Sequence, residues 1–120
     1  MMRGSTTVFT VSDVMASLAY YRDKLGFNVA FEYGAPTFSV GLRSGDVTLH
    51  LIAATKTPRQ AGHSAACIFV DNVDALHTDL TKRGAKVIKA PANQDYGLRD
   101  FDVADLDSNM IFFGAEIPKT

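Results

Sequence analysis

Cysteine is nearly absent from this chain. Its 120 residues hold only Cys67, so no disulfide can form within it, and the setting AACIFV reads as that of a buried small hydrophobe rather than a nucleophile. A charge excess is missing too. A formal net charge of -1 gives no electrostatic attraction to nucleic acid or to an anionic membrane surface, and neither is expected as a partner. Long apolar runs are also lacking: MMRGSTTVF has no apolar leader segment and no later stretch approaches the length of a membrane span, so a cytoplasmic protein is expected. No Ser/His/Asp or Cys/His arrangement, phosphate-cradling glycine loop or paired-cysteine spacing occurs, which leaves covalent catalysis without support. What remains is a chain that is 47% hydrophobic, enough for one well-packed domain.

The most informative stretch is Tyr96 to Gly114. Two apolar-rich runs, Leu98 to Ala104 and Met110 to Gly114, flank Asp105-Leu106-Asp107-Ser108-Asn109, whose Asp and Asn side chains favour a tight reversal. Pairing through that turn sets Phe101 and Val103 beside Ile111 and Phe113 on a core face. Asp100, Asp102, Met110 and Phe112 fall on the other face, a mixture that suits a partly wet concavity.

From the start of the chain, Thr6 to Val11 alternates as a strand and stops at Ser12, an N-cap residue type, before a helix with Val14, Leu18, Tyr21 and Leu25 on one stripe. Gly26 ends it. FNVAFEY, PTFSVGL and VTLHLIA follow as a three-strand meander, separated by Gly34-Ala35-Pro36 and Arg43-Ser44-Gly45-Asp46. Residues 54–64, without periodicity, read as a connector. The pattern then restarts: Val70-Asp71-Asn72-Val73 echoes Val11-Ser12-Asp13-Val14, and Gly84-Ala85-Lys86-Val87 echoes Gly26-Phe27-Asn28-Val29. The second helix buries Val73, Leu76 and Leu80. The expected fold is α+β, a duplicated βαβββ module, with module one over residues 1–53 and module two over 65–120. One helix covers only one face of each sheet, so a homodimer is expected to cover the rest.

Together, the duplication and the segments VSDVMASLAYYRDKLGF, VTLHL, IFVDNVDAL and YGLRDFDVADLDSN resemble the vicinal oxygen chelate superfamily, in its glyoxalase and bleomycin-resistance-like branch. Leu106 stands where proline is common in that turn, and Ser108 where glycine is. The resemblance implies curved sheets around a ligand cavity, often assembled from two chains, with a divalent metal in the enzymatic members. Its metal positions fall here on Thr6, His50, Ala65 and Phe112. Only His50 is a strong donor, so no metal or other cofactor is expected.

The residues expected to contact a small-molecule ligand are His50, Phe31, Tyr33, Thr48, Tyr96, Asp100, Asp102 and Phe112, with no catalytic residue among them. His50 is equally compatible with a half-buried strand histidine, and Asp100 with a solvated strand edge. His77 is expected in solvent, and Arg99 in a pair with a carboxylate. A collapsed concave face is disfavoured by the small residues Thr6, Thr10, Ser39, Gly41, Thr48 and Ala65. The expected function is metal-free binding of an aromatic or amphipathic, antibiotic-like compound. The alternative is a lyase or dioxygenase that uses His50 with an irregular ligand set.

Overall fold

The structure is a computed structural model and describes residues 1–119. Strand β1 (Thr7–Val11) leads into helix α1 (Val14–Asp23), followed by β2 (Asn28–Tyr33), β3 (Ser39–Ser44) and β4 (Val47–Ala53). After a short helical turn at Ala54–Lys56 the pattern repeats as β5 (Ala65–Phe69), α2 (Val73–Arg83), β6 (Lys86–Asn93), β7 (Leu98–Ala104) and β8 (Met110–Glu116). Two four-stranded mixed sheets result, in the orders β1-β4-β3-β2 and β5-β8-β7-β6. In each, the first strand runs parallel to the fourth and the remaining pairs are antiparallel. Two βαβββ modules are therefore present, as the repeated strand and helix starts imply.

Each helix covers one face of its sheet. Val14, Leu18, Tyr21 and Leu25 are buried together with Phe9, Val11, Val40, Leu42, Leu49 and Leu51, and a single apolar cluster continues into Ile68, Phe101, Val103, Ile111 and Phe113. The β7–β8 register pairs Phe101 with Phe113 and Val103 with Ile111, so the expected core face is the observed one. The helix caps differ in detail. Asp13, not Ser12, caps α1, accepting from the Ala16 amide at 3.0 Å, while Ser12 donates through its backbone N–H and its hydroxyl to Asp107. One residue of offset frees Ser12 to tie the first module to the second. Asn72 caps α2 in the same way, and Gly84 closes it at φ +88. The third strand begins at Ser39 rather than at Pro36, because proline lacks the N–H a ladder needs and the Phe38 amide closes the turn on the Tyr33 carbonyl.

The β7–β8 turn joins the modules. Asp105 accepts from the amides of Asp107 and Asn109, each at 2.9 Å, and from the Asn109 side chain at 3.0 Å. Asn109, fully buried, also donates to the Thr10 carbonyl at 3.0 Å and accepts from the Ser64 amide at 3.1 Å. Thr10, counted in sequence among small residues of the concave face, is thus buried beneath this turn. Ser108 takes φ +74, the left-handed geometry that favours glycine.

Candidate functional site

The face of each sheet turned away from its helix is open. On the first sheet, cross-strand neighbours run Val8, His50, Gly41, Phe31. Strand alternation buries Leu49 and Leu51, leaving Thr48, His50 and Ile52 half-exposed. Phe31 lies edge-on to the His50 imidazole, with centroids 5.2 Å apart and planes at 83°. Its ring fills the space that a Gly41 side chain would need. Thr48 bonds the Thr6 hydroxyl at 2.7 Å. Tyr33, 65% exposed, packs edge-on against Phe38 at 5.4 Å.

On the second sheet the corresponding row is Cys67, Phe112, Asp102, Lys89. Asp102 is half-buried and forms no hydrogen bond or ion pair among the described residues; burial and the neighbouring Asp100 push its carboxyl above the usual range, partly offset by Lys89. Asp100 is not a solvated edge residue. It is 8% exposed because the Gln94 amide and the Tyr96 hydroxyl close over it, at 3.0 and 2.5 Å. The hydrogen bond to that carboxylate holds the Tyr96 hydroxyl at a pKa of about 12. No periodic signal in the sequence marks Gln94, because its partner lies across a turn.

Three other expectations change or resolve here. Cys67 is exposed, because strand alternation puts Ala66 and Ile68 toward the core and Cys67 with Ala65 on the open face; the spacing alone would have shown it. Its thiol is pushed up by partial burial and by Asp100, so it stays protonated near neutral pH. His77 is half-buried, not solvated, with its ring edge-on to Phe101 at 5.3 Å. Arg99 does pair with a carboxylate, holding Asp74 through two bonds of 2.8 and 3.0 Å.

Between the first strands of the two modules lie two grooves. One, of about 540 Å³, is lined by Thr6, Val8, Ile52 and Ala65 among others. The other, of about 300 Å³, includes Thr48, Cys67 and Phe69. The Phe31–His50 pair lines neither. The metal positions implied by the family resemblance hold an alanine, a phenylalanine, one histidine and a threonine whose hydroxyl is shared with Thr48. No group of three His, Cys, Asp or Glu able to hold an ion is present among the described residues. This donor set does not fit a tightly held divalent metal.

No helix among the described residues is long and apolar enough to cross a membrane. No curated protein matches the sequence, but solved structures do. The bleomycin-binding protein of the bleomycin producer Streptomyces verticillus, solved with copper(II)-bleomycin, is 28% identical over 98% of both chains, with a TM-score of 0.80. A glyoxalase/bleomycin resistance protein/dioxygenase superfamily member from Sphaerobacter thermophilus is 22% identical over 97% of this chain and 98% of its own, with a TM-score of 0.83. Lactoylglutathione lyase of Agrobacterium tumefaciens is 20% identical over 94% and 92%, with a TM-score of 0.78. The profile of one family matches residues 5–113, and the chain belongs to that family, the glyoxalase/bleomycin resistance protein/dioxygenase superfamily.

Proposed function

We propose that this protein binds a small aromatic or amphipathic compound, antibiotic-like in character, and sequesters it in the cytoplasm without a resident metal. What carries the reading is that the positions where the resemblance implies a ligating set hold Thr6, His50, Ala65 and Phe112, with one strong donor among them, so that an apolar wall stands where a Lewis-acid site would be. His50, Phe31, Tyr33 and Thr48 provide one set of contacts, and Tyr96, Asp100, Asp102 and Phe112 the other. Asp102 is the acceptor free for a cationic or hydroxylated part of the ligand, since Asp100 is already engaged by Gln94 and Tyr96. Likeness to the bleomycin-binding protein supports binding over chemistry.

The open faces are closed in a homodimer. The chain exposes 7501 Å², against about 6,300 Å² for a compact monomer of its mass. The excess of about 1,200 Å², to which the exposed residues 1–6 contribute, is enough to include the roughly 800 Å² that each partner buries in a standard interface. Val8, Phe31, Phe69 and Ile88 are among the apolar side chains left exposed. Light scattering at micromolar concentration is expected to give twice the mass of the chain; a monomer that still binds ligand contradicts the dimer.

A thermal-shift screen of bleomycin and other aromatic antibiotics tests the function. A compound at about 100 times its dissociation constant stabilises the fold by roughly 2.7 kcal/mol, and Phe112→Ala is expected to abolish that shift. A response only after metal is added, lost again in His50→Ala, would instead mark an enzyme that uses His50.

A further inference from the structure

The row across the first sheet has an unusual centre. Gly41 sits between His50 on β4 and Phe31 on β2 and is buried although it has no side chain, because the Phe31 ring lies in the space its Cβ would take. The backbone does not require glycine there, as Gly41 is not among the glycines with positive φ. Steric room for Phe31 is the remaining reason. The ring so placed stands at 83° to the imidazole of His50, and Phe31 is still 43% exposed. The two side chains therefore form a right-angled corner: an aromatic surface on one side and, on the other, an imidazole whose nitrogens have no protein hydrogen bond among the described residues. In the second module the position of Gly41 is taken by Asp102 and that of Phe31 by Lys89, so the corner belongs to the first module alone.

We propose that Gly41 is a specificity-determining residue: by leaving its side-chain space to Phe31 it fixes the Phe31–His50 corner, which selects planar aromatic compounds carrying a polar atom at the ring edge. This rests on the small-molecule-binding reading above. A planar ring stacks on Phe31 and brings its edge substituent to a free nitrogen of His50, whereas a puckered saturated ring of the same size meets neither group well. Gly41→Ala swings Phe31 outward, since only the far end of that side chain is in the way, and opens the corner without disturbing the helix-covered core.

The test uses two probes with one skeleton, 2-naphthol and decahydro-2-naphthol, titrated by calorimetry into the full-length protein. The wild type is expected to prefer 2-naphthol by about three- to tenfold, the range that a well-made aromatic contact supplies. Gly41→Ala and Phe31→Leu are each expected to bring the ratio close to one. Because Gly41 acts through Phe31, adding Gly41→Ala to Phe31→Leu should change nothing further, which a merely structural role for Gly41 would not predict. Should Gly41→Ala fail to fold, Phe31→Leu with its surface side chain still reads the corner. Equal binding of the two probes to the wild type, or a preference that survives either substitution, overturns this inference and leaves the binding function standing. Binding of neither probe also overturns this inference, and the binding function falls with it only if the thermal-shift screen is negative as well.

Discussion

The Tyr21 hydroxyl donates to the Asp105 carboxylate at 2.8 Å, joining α1 to the β7–β8 turn across 84 residues of chain in a buried setting. Tyr21 is fully buried and Asp105 is 3% exposed, so the bond forms where water cannot replace it. Tyr21→Phe should cost about 1.5–3 kcal/mol, the range for a hydrogen bond to a charged group. Burial and Asp105 push the Tyr21 hydroxyl well above its ordinary range, and Tyr20 is raised as well. The unfolded chain therefore loses these protons first. The contribution of these two hydroxyls is fully present below about pH 10 and falls as the pH rises beyond it, by up to about 1.4 kcal/mol per pH unit for each proton. Urea unfolding from pH 8 to 11 should show this decline, shallower in Tyr21→Phe; equal slopes would contradict it.

Ser108→Gly should stabilise the protein by about 0.5–1 kcal/mol, because φ +74 strains any side chain. A lower urea midpoint in this variant would show that the Ser108 side chain contributes more than its backbone strain costs.

Asp102 works against stability. Its carboxyl titrates above the usual range because burial and Asp100 disfavour the charged form. The unfolded chain thus releases its proton first as pH rises, and the fold loses stability through that interval. Asp102→Asn is expected to raise the unfolding midpoint at pH 7 and to lose the advantage below about pH 4, while weakening affinity for any cationic ligand. Unchanged stability at pH 7 would remove Asp102 from the set of unsatisfied groups facing the ligand.

Asn109→Asp should be among the most damaging single changes. It replaces the donor to the Thr10 carbonyl with a second carboxylate beside Asp105, 3.0 Å from the present amide nitrogen, in a fully buried place. A loss above about 3 kcal/mol is expected in urea unfolding; a loss below 1 kcal/mol would mean that the turn does not hold the modules together.

The fold was legible because its signals are local. Helical spacing placed Val14, Leu18 and Tyr21 on one stripe, alternation placed Phe101 and Val103 opposite Asp100 and Asp102, and the repeated strand–helix starts exposed the duplication. The candidate site was legible only by parity. Alternation put His50, Thr48 and Phe112 on open faces, but the closure of Gln94 and Tyr96 over Asp100, the seat of Phe31 on Gly41 and the packing of His77 against Phe101 depend on neighbours that sequence spacing does not encode. The composition of AACIFV points to burial, whereas its alternation puts Cys67 on the open face. Ser12 gave up its expected cap to Asp13 for a tie to Asp107, a residue far along the chain.

The most direct test of the central claim is calorimetric titration of chelator-treated protein with the compound giving the largest thermal shift, repeated with an equivalent of Zn²⁺, Mn²⁺ or Fe²⁺. Binding is predicted to have the same dissociation constant with and without metal, with metal content at background in the wild type and in His50→Ala alike, and a new metal site only when Phe112→Glu is combined with Ala65→His. Affinity that appears only with a stoichiometric metal, and disappears with it in His50→Ala, would contradict the account.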